Sequence, residues 1–122
     1  MPLVKKPEHI FEPTPLQCGQ AVLAMLTGDS VENIIKIEKP DRETTLKDMF
    51  LALDFYGIKY CKDRKAVTKI EDLPNVCILS LETPHCWHWS LYFDVVFYDP
   101  EYGLLTSFPP SNRRYYFELY KD

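Results

Sequence analysis

Three residues of this 122-residue sequence stand where nucleophilic chemistry would want them: Cys18 opening an apolar helical stretch, His88 opening a strand-like run, and Asp99 closing the next one. A helix N-terminus carries partial positive charge, which favours thiolate over thiol. An imidazole beside such a sulfur takes and returns its proton, and a carboxylate behind the ring fixes its tautomer. Each residue also has a plainer reading. A cysteine on an apolar helix is usually packing, a histidine flanked by Trp87 and Trp89 is commonly a hydrogen-bonded core residue, and an aspartate before proline is an ordinary turn residue.

The run His85-Cys86-Trp87-His88, with Cys61 or Cys77 as further ligands, raises a separate metal-binding reading. Structural zinc sites usually present paired ligands such as Cys-x-x-Cys, and the sequence has no such pair, so neither a metal nor any other cofactor is expected. Trp87, Trp89 and the run Tyr115-Tyr116-Phe117 suit a substrate groove, a partner surface or strand packing. The four cysteines are even in number but follow no secretory signal, so reduced thiols are expected.

A net charge of -4 and a pI near 5.3 give no electrostatic footprint for nucleic acid. Lys5-Lys6 and Arg113-Arg114 read as solvated surface. No segment approaches the ~18 apolar residues of a membrane span, and the N-terminus lacks the apolar run of a signal peptide. The expectation is a cytoplasmic protein without membrane contact, whose oligomeric state the sequence leaves open.

The elements that must position these side chains follow from periodicity. Residues 1–15 hold four prolines and read as an extended arm. Cys18 to Leu26 is apolar nearly all round, as in a helix buried on most faces, and Gly28 suits its C-cap. A second helix is expected after an Asp29 or Ser30 cap, burying Val31, Ile34 and Ile35 and stopped by Pro40. A third runs from the capping pair Thr45 and Asp48 to Gly57, with Leu46, Met49, Phe50 and Leu53 as its stripe. Short apolar runs follow at Ile58-Tyr60, Val76-Leu81, His88-Phe93, Val95-Tyr98, Leu104-Phe108 and Tyr115-Tyr120. Helices first and antiparallel strands afterwards predict one α+β domain over residues 1–122, with the cysteine helix packed centrally on a C-terminal sheet.

The two middle strands test the His88–Asp99 pairing. A hairpin turning at Phe93-Asp94 sets Tyr92 opposite Val95, Ser90 opposite Phe97 and His88 opposite Asp99. Phe93-Asp94 is not a favoured turn pair, and a one-residue slip would break the pairing.

The segment Gln17-Cys18-Gly19-Gln20-Ala21-Val22-Leu23-Ala24-Met25-Leu26-Thr27-Gly28 resembles the nucleophile helix of papain-like cysteine peptidases, most closely the branch that includes the bacteriocin-leader (double-glycine) peptidases. Phe55-Tyr56-Gly57-Ile58 is similar to the turn after that family's next helix. His88-Trp89-Ser90-Leu91-Tyr92 resembles its histidine strand, and Tyr98-Asp99-Pro100-Glu101-Tyr102-Gly103 its Asp-Pro segment. The likeness spans about Glu12 to Gly103 and keeps the order Cys, His, Asp.

The resemblance implies a papain-like fold and a bacterial or phage cysteine hydrolase. It implies a Cys18–His88–Asp99 triad cleaving a peptide, isopeptide or related amide through a thioester. Where that family carries an oxyanion-binding glutamine, six residues before the cysteine, this sequence has Glu12. An ionised glutamate has no donor. Three resolutions stay open: Glu12 remains protonated in a dry site, Gln17 or Gln20 takes its place, or catalysis is lost. The last leaves a papain-like module that binds a protein or small ligand in the same cleft.

Overall fold

A computed structural model describes residues 7–13, 17–37, 44–84 and 87–120, without the side chains of 35–37. The expectations that rest on Lys5-Lys6, Pro40, His85, Cys86 and the side chain of Ile35 lie outside the described residues. Helix α1 (Cys18–Thr27) buries every residue from Cys18 to Leu26, as its continuous apolar character requires, and ends at Gly28 with φ 77°. Helix α2 (Val31–Ile37) starts from Ser30, whose hydroxyl accepts from the Asn33 N–H. Helix α3 (Leu46–Phe55) opens on the expected capping box: Thr45 Oγ1 accepts from the Asp48 N–H and Asp48 accepts from the Thr45 N–H.

The strands are β1 (Lys59–Tyr60), β2 (Lys65–Ala66), β3 (Val76–Glu82), β4 (Trp87–Phe93), β5 (Val96–Asp99), β6 (Gly103–Leu105) and β7 (Arg113–Tyr120). They form one sheet in the order β1-β7-β3-β4-β5-β6, with β2 also against β7, and every pairing is antiparallel. The architecture is therefore α+β. No helix among the described residues is long and apolar enough to cross a membrane.

Strand alternation divides the core. Ile78, Leu91, Tyr98 and Phe117 meet Val22, Leu23, Met49 and Leu53 of the helices. Cys77, Leu79, Leu81, Tyr92 and Phe97 pack on the other face beneath Ile70, Leu73 and Phe108. Burial on both faces explains why Val76-Leu79 is an unbroken apolar run. Strand β2 is not among the expected runs, being too short and exposed to leave an apolar signature. The other strand ends shift by at most one residue, except that β6 ends at Leu105 and β7 begins at Arg113 because Arg113 and Arg114 pair with Glu82 and Leu81.

The β4–β5 hairpin turns one residue later than the sequence suggests. Phe93 is opposite Val96, Tyr92 opposite Phe97 and Leu91 opposite Tyr98. The loop is Asp94-Val95, with φ 46° and 63°, the doubly left-handed backbone of a type I′ turn. Pairing with β3 fixes it, since Phe93 lies opposite Val76 and the Asp94 N–H donates to the Asn75 carbonyl at 2.8 Å.

Candidate functional site

Moving the turn by one residue leaves strand parity unchanged, so His88 and Asp99 still share a face. They are diagonal rather than opposed, and continuing the register places Ser90 opposite Asp99. The diagonal is bridged by the long imidazole: His88 Nε2 donates toward both carboxylate oxygens, 3.0 and 3.1 Å away. Ser90 Oγ donates to Asp99 Oδ2 at 2.8 Å. The Glu101 and Tyr102 N–H groups donate to Oδ1 at 2.8 and 2.9 Å. Asp99 and Ser90 are fully buried, so these donors replace the water a carboxylate would otherwise hold.

Cys18 approaches from the helix side. The described β4–β5 register stops at Leu91–Tyr98; beyond it, the Trp89 N–H donates to Cys18 Sγ at 3.4 Å. The sulfur thus meets the strand beside His88. With Nε2 committed to Asp99, Nδ1 is the ring nitrogen left for the thiol. The approach of helix to strand is close: a Cβ on Gly19 would lie 2.6 Å from Thr44 Cβ and 3.0 Å from Trp89 Cδ1. That contact gives the Cys-Gly pair a physical reason.

The proline-rich arm completes the site. Ile10 packs on the helix-side core, His9 Nε2 donates to the Asp99 carbonyl at 2.6 Å, and the Glu12 N–H donates to the Pro100 carbonyl at 2.9 Å. These contacts bring the Glu12 carboxylate in, so that one of its oxygens, Cys18 Sγ and a His88 ring nitrogen all lie within 4.8 Å of one another. Glu12 Oε1 is buried without a hydrogen-bond partner among the described residues, as is Gln17 Oε1. Gln17 caps α1 without a side-chain bond, so its amide does not satisfy the first-turn N–H groups.

The electrostatics follow from this packing. Burial works against the charged ring of His88, but the hydrogen bonds and charges of Asp99 and Cys18 outweigh it and raise its pKa to about 10. For Asp99, burial pushes upward, yet His88 and the two backbone donors hold the carboxyl below its ordinary value. Burial pushes Glu12 up; His88 opposes this, whereas Glu101 and Asp99 add to it.

The two tryptophans differ. Trp89 is buried, its indole N–H donating to the Thr44 carbonyl at 2.9 Å. Trp87 is 41% exposed, beside Tyr115 and the Arg113 guanidinium. Ser90 and His9 are polar partners that sequence reasoning did not assign to the site. Ser90 shares parity with His88, and the correct turn would have put it opposite Asp99; no pattern in the arm distinguishes His9. Cys18, Cys61 and Cys77 carry free thiols. No protein-family model matches this chain, and no curated protein matches it.

Proposed function

We propose that the protein is a papain-like cysteine hydrolase acting on a peptide, isopeptide or related amide, with Cys18 as nucleophile, His88 as acid and base, and Asp99 as the residue that orients His88. The observation that carries this reading is the convergence on one point of a thiol at a buried helix head and an imidazole whose far nitrogen is held by a buried carboxylate. A core histidine needs only one satisfied nitrogen pair; it does not need a cysteine beside Nδ1. The order of elements, helices before an antiparallel sheet, agrees with the same reading.

In the reaction, the Cys18 thiolate attacks the carbonyl carbon and a C–S bond forms. The C–N bond then breaks as His88 passes its Nδ1 proton to the leaving amine. A water molecule, losing a proton to His88, attacks the thioester, releasing the acid and returning the proton with the thiol. The Cys18 backbone N–H, at the head of α1, would supply a donor to the developing oxyanion. Glu12 adds a donor there only in its protonated form, which its burial favours.

A second reading has its own observation. Cys18 and His88 are only 3% and 5% exposed, and a carboxylate stands beside them. An inactive module that binds a ligand in the same place would retain this geometry.

Alkylation separates the two. Iodoacetamide is applied to the folded protein across a pH series and each modified cysteine is located by mass spectrometry. Packing alone predicts that Cys18 lags behind the half-buried Cys61. The hydrolase reading requires Cys18 to react first from mildly acidic pH upward, with the lead lost in His88→Ala; a Cys18 no faster than Cys61 ends it.

A further inference from the structure

The same three side chains form a second kind of site. We propose that Glu12, Cys18 and His88 bind a zinc-class divalent cation, with a fourth position left for water, and that the bound ion silences the thiol. A thiolate, an imidazole and a carboxylate are the donor types zinc takes, and three protein ligands plus water is its usual open arrangement. Donors around tetrahedral zinc stand about 3.5 Å apart. Here they lie within 4.8 Å of one another, so side-chain movements of about 1 Å close the set.

Three further features support the ion. Glu12 Oε1 is buried without a partner among the described residues, and a buried anion lacking donors is satisfied by a cation. His88 directs its second ring nitrogen to Asp99, the carboxylate–histidine arrangement that orients a metal-binding imidazole. A dication cancels the charges of one thiolate and one carboxylate ligand, in a site where His88 is 5% and Cys18 3% exposed and where the buried Asp99 carboxylate adds a further negative charge behind the imidazole. A glutamine at position 12 would supply neither the charge nor the ligand strength. Glu12 is thus the residue that makes a third ligand of what would otherwise be a cysteine–histidine pair.

Ion binding does not depend on whether Cys18 turns over substrate, and its test reads no hydrolysis, so the two proposals fail separately. Zn²⁺ is titrated into the reduced, metal-stripped full chain against a chromophoric competing chelator. One equivalent is expected. Its affinity should fall at least about tenfold in Glu12→Gln and vanish in Cys18→Ser. Asp99→Asn should lower it by about 10–100-fold, as for other partners behind a ligating histidine.

The Cys61→Ser/Cys86→Ser chain should bind as the unaltered chain does. Loaded with Co²⁺, it should show sulfur-to-cobalt charge-transfer absorption, a readout that survives any failure of Cys18→Ser to fold. The proposal is overturned by no binding, by an affinity indifferent to Glu12→Gln, or by an ion lost in the Cys61→Ser/Cys86→Ser chain.

Discussion

Replacing Gly19 by alanine adds one methyl group at the tightest approach of α1 to the sheet. The new Cβ would lie 2.6 Å from Thr44 Cβ, 2.7 Å from Thr44 Oγ1 and 3.0 Å from Trp89 Cδ1. Carbon atoms pack at about 3.5–4.0 Å, so Thr44 or Trp89 must retreat by about 1 Å. Neither has room: they are 7% and 6% exposed, and the Trp89 indole N–H is bonded to the Thr44 carbonyl. Overpacking of this kind costs about 1–3 kcal/mol, and loss of the indole bond adds about 1 kcal/mol. Alanine's helix propensity returns at most about 1 kcal/mol. The net expectation is destabilisation by about 1–3 kcal/mol. With a urea m-value of about 1–3 kcal/mol/M, that lowers the unfolding midpoint by roughly 1 M. Gly28→Ala is the comparison, because nothing lies within 4 Å of its Cβ and only its φ of +77° opposes a side chain. Thr44→Gly should rescue Gly19→Ala and leave Gly28→Ala unchanged. If Gly19→Ala unfolds at the same or higher urea than the parent, the close approach is not as described and the Cys-Gly pair has no packing reason.

Three other outcomes are expected. Glu12→Gln, assayed with a chelator present, should raise amide hydrolysis by up to about a hundredfold, the worth of one oxyanion donor, at pH values where Glu12 is ionised and little where it is protonated; a rate ratio to the parent that does not grow with pH would remove Glu12 from the oxyanion position. Val95→Gly should stabilise the protein by about 1 kcal/mol in urea unfolding, because a β-branched residue at φ 63° is strained; destabilisation would show that the turn is not type I′. In chelator, stability should peak between pH 4 and 6.5. The raised pKa of His88 contributes stability that is complete below its ordinary 6.5 and is lost as pH rises through about 10. The lowered pKa of Asp99 contributes stability present above its ordinary 3.8 and lost as pH falls through the folded value. His88→Gln should flatten the alkaline decline, and a parent protein with no decline between pH 6.5 and 10 would contradict the pairing.

Local chemistry made several elements readable from the sequence. The Thr45–Asp48 box and the stripe behind it depend on residues within one turn of each other, and α3 begins where they indicate. Gly28 ends α1 for an equally local reason, its left-handed backbone. The short apolar runs after Gly57, coming after the helices rather than between them, were enough for an antiparallel sheet, because run length and composition belong to each strand alone and the order of elements is read directly from the chain. His88 and Asp99 could be placed on one face because parity survives the misplaced turn. The turn itself was not legible: Asp94-Val95 is a poor type I′ sequence, held by Asn75 and by the pairing of Phe93 with Val76, some seventeen residues away.

What the sequence by itself determined is the three helices, every strand except β2, their order and the parity of the residues on them. Tertiary structure decided which polar groups surround Asp99, why residue 19 has no side chain, and that the Glu12 carboxylate lies beside Cys18 and His88. Those relations join the arm, a helix head and two strands across as many as 90 residues, as in the bond from His9 to the Asp99 carbonyl. No local propensity encodes them; they follow only when the core closes and buried polar atoms must find partners.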